Sequence, residues 1–204
     1  MITTHSPSTE LPFPINTGEL YDPKLPETNI GLSEWDTTPG AEILSNFALT
    51  SFVLDGVEYP NYEAFVQSLK ASSLDEAKFI ATMGPREAKM YGKRPEFQDD
   101  PNLYYHYNQR KEGNLETTVL PRNSEVTYAL MERALEAKFA QNPVALNALL
   151  MRNGKPDMSK ITHELHWKNG RQITENPKTI MPATIFCDML MRIRQKAQNN
   201  LLND

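Results

Sequence analysis

The stretch LSNFALTSFVLDGVEYPNYEAFVQSLKA (residues 44–71) decides the fold of this 204-residue chain. Its segment FVLDGVEY (52–59) predicts a short strand pair, because an Asp-Gly turn lies between apolar residues and glycine tolerates a positive φ. Pro60 predicts the start of a helix, since its fixed φ suits the first helical turn and its missing N–H is not needed there. The stretch therefore predicts a strand pair followed by a helix.

Three polar residues share one face of that helix. At roughly 100° per residue, Glu63, Gln67 and Lys70 fall within about 60° of one another. The flanking positions are apolar or small, which predicts a helix that is packed over most of its surface. These positions are Tyr62, Phe65, Val66 and Leu69 on one side and Ala64, Ser68 and Ala71 on the other. A solvent-exposed stripe with ordinary helical spacing and a ligand pocket both fit this pattern.

Composition narrows the class of protein. The net charge of −5 argues against a protein that coats nucleic acid by bulk electrostatics, although a local basic cleft remains compatible with it. Cys187 is the single cysteine, which excludes an internal disulfide and fits a reducing compartment. The sequence has no run of about 18 apolar residues and no signal-peptide pattern at its start. We therefore predict a cytoplasmic protein that does not contact a membrane.

The chain divides into three predicted parts. Residues 1–38 carry several prolines and little apolar periodicity, which predicts an extended N-terminal arm. The arm is partly disordered, lies across the domain through aromatic anchors, or binds a partner and so supports an oligomer. Residues 39–198 are predicted to form one compact domain, with an irregular insertion near 95–124 where prolines interrupt the pattern. Residues 199–204 form a polar tail.

The domain is predicted to be α+β and mainly helical. Ser124 resembles an N-cap for the most regular helix, and Gly92 resembles the C-terminal cap of a short helix that begins at Pro85. The apolar residues of the last helix are expected to close the core. The predicted helices after the first one span residues 74–83, 85–92, 125–141, 143–153 and 183–198.

Lys138 projects into the apolar arc of the 125–141 helix. Its side chain either extends along its aliphatic stem to water or places its amine in a cavity. Burial without a partner costs on the order of several kcal/mol. A buried Lys138 therefore predicts a nearby carboxylate or an anionic ligand.

Two other segments combine features that allow more than one role. Lys89, Lys93 and Arg94 form either a solvated face near a helix C-terminus or an edge that contacts phosphate. The tyrosines of LYYHYNQRK (103–111) either stack on a nucleobase or anchor a long loop to the core. The second role is favoured, because a long loop needs anchors of its own.

The sequence predicts neither a metal nor a cofactor. His163 and His166 lie three residues apart, whereas the zincin pattern places its histidines four apart on a helix. Two histidines without further ligands fall short of a metal site. A glycine-rich phosphate loop, a nucleophile elbow and a Cys-His pairing are also missing from the sequence. A site made of carboxylates and lysines remains.

The order of these segments resembles the NADAR superfamily, also called YbiA-like, over residues 41–196. The first matching block contains Leu44-Ser45-Asn46-Phe47, Leu54-Asp55-Gly56, Tyr59-Pro60, Glu63, Gln67 and Lys70-Ala71. Later matches are Ala88-Lys89, Gly92, Arg94, Met131, Ala134-Leu135, Lys138-Phe139, Leu149-Leu150, Trp167, Leu190-Met191 and Arg194. Where the family usually has an aspartate three residues before the late tryptophan, this chain has Glu164. A tryptophan usual before the Met131 helix is missing, and residues 95–124 look inserted.

The resemblance implies a mainly helical α+β domain that acts as an N-glycosidase or ADP-ribosyl glycohydrolase. The implied substrates are an ADP-ribosylated guanine, in a nucleotide or a nucleic acid, and ribosylamines of the riboflavin pathway. The predicted catalytic residues are Glu63, Lys70, Lys138 and Glu164. The predicted substrate contacts are Ser45, Asn46, Phe47, Gln67, Lys89, Arg94 and Trp167.

Cleavage of an N-glycosidic bond explains why two carboxylates are assigned. The sugar acquires oxocarbenium character, so the site needs negative charge beneath it and a proton for the leaving nitrogen. Glu63 takes the sugar side or activates water, with Glu164 as its partner, and the lysines hold anionic oxygen or attack the opened sugar as amines. Two alternatives remain: a module that binds ADP-ribose or an NAD-type nucleotide with weakened turnover, and a structural protein that binds a partner through its arm.

Overall fold

The strand pair predicted from the Asp-Gly turn is present. The computed structural model describes residues 28–30, 41–98, 104–150, 161–162, 167–168, 171–172, 181, 183–199 and 201–202. Within it, strand β2 (Phe52–Leu54) pairs antiparallel with β3 (Val57–Tyr59). Asp55 and Gly56 turn the chain with φ values of 47° and 77°. A two-residue turn with both φ values positive matches the twist of a hairpin, and Asp and Gly are among the residues that adopt it most easily.

The first helix, α1 (Tyr62–Ser68), begins two residues after the predicted start at Pro60. Asn61 sets this boundary, because its side-chain oxygen accepts the backbone N–H of Ala64 at 2.8 Å. Its amide group also donates to the carbonyl of Met83 at 3.0 Å. A side-chain cap of this kind satisfies a helix N–H that would otherwise lack a partner, and here it also ties α1 to the end of the next helix.

The remaining helices follow the predicted order. Their bounds are α2 (Leu74–Ala81), α3 (Pro85–Tyr91), α4 (Pro95–Gln98), α5 (Glu125–Gln141), α6 (Pro143–Leu150) and α7 (Ala183–Gln198). Ser124 caps α5 by accepting the backbone N–H of Thr127, and Gly92 lies at the C-cap of α3. Both assignments confirm the sequence prediction. A 3-10 helix, Glu42–Leu44, precedes the strand pair.

The predicted irregularity of residues 95–124 is wrong over most of that segment. Strands β4 (Tyr104–Lys111) and β5 (Asn114–Pro121) form an antiparallel hairpin that turns at Glu112-Gly113, with φ values of 51° and 83°. Tyr105 is fully buried, as expected for a tyrosine that packs its segment onto the core. The hairpin therefore replaces the predicted loop, while the packing role is retained by Tyr105 and Tyr107 and not by the exposed Tyr104.

Two further pairs of short strands are described, and one of them connects distant parts of the chain. β1 (Thr28–Asn29) pairs parallel with β6 (Ile161–Thr162), and β7 (Trp167–Lys168) pairs antiparallel with β8 (Arg171–Gln172). Ile30, which follows β1, is fully buried. This piece of the predicted arm thus lies on the domain. Most of residues 1–38 falls outside the described residues, so the partner-binding role of the arm stays a prediction.

The core lies between α1, α5, α6 and α7. The hydroxyl of Tyr62 donates to the carbonyl of Met131 at 3.0 Å, which links α1 to α5 inside the core. Burial of each large apolar side chain contributes about 1.5–3 kcal/mol. The predicted role of α7 is confirmed, since four of its apolar residues are buried. They are Phe186, Met189, Leu190 and Ile193.

Charged pairs join α5 to α7 at the rim of this core. Arg192 donates to Glu132 at 2.7 Å, and Lys196 bonds to Glu136. Such partly exposed pairs add little stability individually. Among the helices that the structure describes, none is long and apolar enough to cross a membrane.

Candidate active site

Glu63 occupies the first turn of α1, and its side chain is only 3% exposed. Gln67, one turn further on, donates its amide N–H to Glu63 Oε1 at 2.7 Å. Lys89 Nζ of α3 lies 3.3 Å from the same oxygen. The predicted polar stripe is therefore buried, and the alternative of a solvent-exposed stripe is wrong. Two groups fix one oxygen of a carboxylate that lies at the positive end of a helix dipole.

Lys70 lies just beyond the end of α1 and is also buried, with 6% of its surface exposed. Its ammonium donates to the carbonyl of Gly92 at 2.7 Å. Burial and the nearby charge of Lys89 lower the pKa of Lys70 from 10.5 to about 8, while Glu63 acts in the opposite direction. At pH 7 about a tenth of the amine is therefore neutral. This lysine has both a donor form and a nucleophilic form near neutral pH.

Lys138 of α5 is fully buried, and its partners differ from those predicted. Its ammonium donates to the carbonyls of Leu44 at 3.2 Å and Ser45 at 2.8 Å. Burial lowers the pKa of Lys138 from 10.5 to about 7. The expected carboxylate is replaced, among the described residues, by these two main-chain oxygens. Lys138 consequently holds the backbone turn that contains Ser45.

The turn held by Lys138 contacts the start of α1 through the main chain. The backbone N–H of Phe47 donates to Ser45 Oγ at 3.2 Å, and the carbonyl of Asn46 accepts the N–H of Glu63 at 3.0 Å. Ser45, Asn46 and Phe47, predicted as substrate contacts, are thereby brought next to the start of α1. Lys138 acts on this region through the main chain.

Two buried side-chain oxygens, one in the turn before β2 and one in α1, have no hydrogen-bond partner in the described part of the chain. They belong to the side chains of Asn46 (Oδ1) and Gln67 (Oε1). A buried acceptor without a donor carries a desolvation cost of about 1–3 kcal/mol. A ligand that supplies N–H or O–H groups at these oxygens would remove that cost.

Arg94 lies in a different environment from Lys89, although both are predicted from the sequence to contact the substrate. Its guanidinium contacts Glu76 at 3.0 Å and lies 3.1 Å from Glu96. It also stacks 3.5 Å from the centre of the Tyr91 ring. Arg94 thus forms ion pairs with carboxylates of α2 and α4, whereas Lys89 forms an ion pair with Glu63. A phosphate-binding role for Arg94 stays a prediction.

The late acidic residue of the predicted site is not described. Glu164 lies outside the described residues, and Trp167 contributes a described backbone in β7 but no described side chain. Their roles as second carboxylate and stacking residue stay predictions. Within the described ranges, no group of three or more His, Cys, Asp or Glu side chains could hold a metal ion.

One residue that contacts the site was not assigned to it from the sequence. Gly92 accepts the Lys70 ammonium through its carbonyl, and Gln67 packs against its α-carbon. From the sequence, Gly92 was a family match and the expected end of α3, with no role assigned at the site. Its role at the site depends on the packing of α3 against α1, which no local pattern encodes.

Fold and site together define a class. The structure resembles the NMR structure of the Escherichia coli protein YbiA, with a TM-score of 0.51 and 17% identity over 94% of this chain and 97% of that one. This likeness confirms the predicted α+β fold. Residues 39–195 match the bacteriophage protein GP30.3 family, a NADAR-type domain, so the chain belongs to this family and the resemblance to the NADAR superfamily is confirmed. A search of curated proteins found no match.

Proposed function

We propose that this protein is an N-glycosidase that hydrolyses the N-glycosidic bond of an ADP-ribosylated guanine, with release of ADP-ribose, or the N-glycosidic bond of a related ribosylamine. The observation that carries the proposal is a buried carboxylate, Glu63, beside a buried amine, Lys70, whose pKa is lowered to about 8. Paired acidic and basic groups in a desolvated site are typical of enzymes. The NADAR-type fold supports the same reaction class.

Glu63 suits the sugar side of the reaction. A water molecule adds to the anomeric carbon while the bond from that carbon to the leaving nitrogen breaks, and Glu63 takes the proton that the water loses. Its negative charge also stabilises the oxocarbenium character of the sugar. Gln67 and Lys89, 2.7 Å and 3.3 Å from Oε1, hold the carboxylate in one orientation.

Lys70 suits either of two roles on the leaving side. As an ammonium it donates a proton to the departing nitrogen, which leaves as a neutral amine. As a neutral amine it adds to C1 of the ring-opened sugar, which is then an iminium bonded to the base nitrogen; the bond to that nitrogen breaks, the base leaves as a neutral amine, and water hydrolyses the resulting lysine imine to release the sugar and regenerate the lysine. Both roles use a pKa near 8.

A second function, binding of ADP-ribose or an NAD-type nucleotide with weakened turnover, is favoured by one contact. Lys89 lies 3.3 Å from the Glu63 oxygen that would face the sugar, so the ion pair competes with the reaction. A substrate phosphate that attracts Lys89 would release Glu63. If nothing draws Lys89 away, the site binds the nucleotide without cleaving it.

The test is a single-turnover incubation with a guanine-ADP-ribosylated oligonucleotide, read by mass spectrometry. We expect the wild type to release ADP-ribose and Glu63→Gln to be slower by at least about 100-fold, because a general base contributes 10²–10⁴-fold. Glu58→Gln, at an exposed position of β3, is the matched control and should cleave like the wild type. Tight nucleotide binding without release would favour the binding module, and release from a ribosylamine alone would change the substrate.

A further inference from the structure

We infer that Gly92 is a positioning residue of the Glu63 site, and that a side chain at this position would dislodge the amide that orients the carboxylate. This inference rests on the proposed function for its consequence in catalysis. Its structural part, the control of Gln67 and Glu63 by Gly92, stands on geometry alone.

The backbone of Gly92 does not require glycine. Its φ of −73° and ψ of −1° lie in the right-handed region that every residue adopts. The usual reason for glycine at a helix end, a left-handed conformation, therefore does not apply here. Another property of the position must make glycine necessary.

That property is space. A Cβ atom at Gly92 would lie 1.7 Å from Gln67 Oε1 and 2.6 Å from its Cδ. Real Cβ atoms essentially never come within 3.0 Å of a neighbour, so the amide group would have to move. The same amide donates to Glu63 at 2.7 Å, and a displacement large enough to relieve the contact would break this bond.

Gly92 acts on the other side of the site through its main chain. Its carbonyl accepts the Lys70 ammonium at 2.7 Å, so one residue contacts both the amide that orients the carboxylate and the amine beside it. Its N–H continues α3 by donating to the carbonyl of Ala88 at 2.9 Å. The end of α3 thus locates Gln67 and Lys70 relative to each other.

The clash falls on the far end of a flexible side chain, which makes a folded variant attainable. Gly92→Ala should displace the Gln67 amide at a modest cost in stability while it disturbs Glu63 directly. Gly84 provides a matched control, because it precedes the same helix α3 and a Cβ there meets no atom within 4 Å. Both substitutions change glycine to alanine at an end of α3, and only one affects the site.

The first measurement does not depend on activity. Side-chain amide resonances of the full-length, ¹⁵N-labelled protein report the hydrogen bond between Gln67 and Glu63. We expect Gly92→Ala to shift the Gln67 amide resonance and Gly84→Ala to leave it in place. An unchanged Gln67 resonance in Gly92→Ala would overturn the inference, whether or not the protein cleaves the proposed substrate.

The second measurement uses single-turnover cleavage of the guanine-ADP-ribosylated oligonucleotide. We expect Gly92→Ala to lower the rate of the bound complex by about 10–100-fold, as a misplacement of about 1 Å can do, with substrate affinity within about 3-fold. The double variant Gln67→Ala/Gly92→Ala should be as slow as Gln67→Ala alone, because both changes remove the same contact. Fully additive losses would contradict the inference.

Whether the single and double variants fold also tests the inference. If Gly92→Ala fails to fold and Gln67→Ala/Gly92→Ala folds, the clash is with Gln67 and the inference is supported. If both fail to fold, Gly92 is needed for another reason and the inference is wrong. A wild type that does not cleave the oligonucleotide refutes the proposed substrate, and the amide resonance still decides the role of Gly92.

Discussion

Two buried lysines, Lys70 and Lys138, make the same kind of bond in different surroundings. Each ammonium donates to main-chain carbonyls, Lys70 to Gly92 and Lys138 to Leu44 and Ser45. Burial alone lowers the pKa of Lys138, to about 7, whereas other charges also act on Lys70, whose pKa is about 8. The difference teaches that two lysines with lowered pKa values can lie in different electrostatic surroundings: Lys89 and Glu63 act on Lys70, whereas burial accounts for the shift of Lys138. The catalytic roles of both lysines stay predictions.

The largest expected effect is a loss of cleavage rate on substitution of Lys70. Lys70→Met should lower the single-turnover cleavage rate by on the order of 10²–10⁴-fold, because it removes both the proton donor and the nucleophilic amine. Single-turnover kinetics with the guanine-ADP-ribosylated oligonucleotide measure the loss, and the urea midpoint checks that the variant is folded. A folded Lys70→Met protein that cleaves at the wild-type rate would remove Lys70 from the chemistry.

The second effect concerns stability and is expected for Lys138. Its pKa is about 7 in the folded protein and near 10.5 in the unfolded chain, so between these values the unfolded state binds a proton that the folded state lacks. Raising the pH removes that proton from the unfolded state, and the free energy of unfolding rises. Between pH 7 and 9 the wild type should gain about 2 kcal/mol relative to Lys138→Met, since each pH unit is worth up to about 1.4 kcal/mol.

Urea unfolding of both proteins across this pH range measures the difference. A constant gap between wild type and Lys138→Met would mean that Lys138 reaches water and titrates normally. Relative to Lys70→Met, the free energy of unfolding of the wild type should begin to rise near pH 8 rather than pH 7. The two lysines would then differ in the pH above which each makes the folded protein more stable.

The smallest expected effect is a shift in the pH at which the cleavage rate begins to change. If Lys70 donates a proton, the cleavage rate should fall about tenfold per pH unit above pH 8, and if it attacks as an amine, the rate should rise up to pH 8 and level off. The positive charge of Lys89 lowers the pKa of Lys70, so Lys89→Gln should move this change in rate to a higher pH, by less than about one pH unit. Single-turnover rates from pH 6 to 10 locate the pH of the change, and the same pH in both proteins would show that Lys89 does not act on Lys70.

The sequence predicted those parts of the fold that depend on local signals. Helix α5 was predicted to the residue, because Ser124 provides a cap and the following apolar residues repeat at helical spacing. The hairpin of residues 104–121 was missed, although the alternation of Tyr105 and Tyr107 and the Glu112-Gly113 turn were visible. The prolines at positions 95, 101 and 121 interrupt the segment and favour a loop, whereas the pairing of its two strands overrides that local signal.

The candidate site could be predicted only in part for a physical reason. Glu63 and Gln67 lie one helical turn apart, so their contact follows from spacing. The partners of Lys138 lie 93 and 94 residues away in the chain. Main-chain carbonyls carry no side-chain signature, so the sequence predicted a carboxylate or an anionic ligand where the structure uses backbone oxygens. The role of Gly92 was missed because it depends on empty space, which residue type alone does not reveal.

The bond between Lys138 and Ser45 also has a consequence for the growing chain. Contacts of high sequence separation form late, because the loop between their ends must first be closed. The turn that carries Ser45, Asn46 and Phe47 gains its support only when residue 138 has left the ribosome and α5 has packed. Glu63, synthesised 75 residues earlier than Lys138, therefore waits for most of the domain before its surroundings are complete, and a nascent fragment that ends before α5 should lack the site.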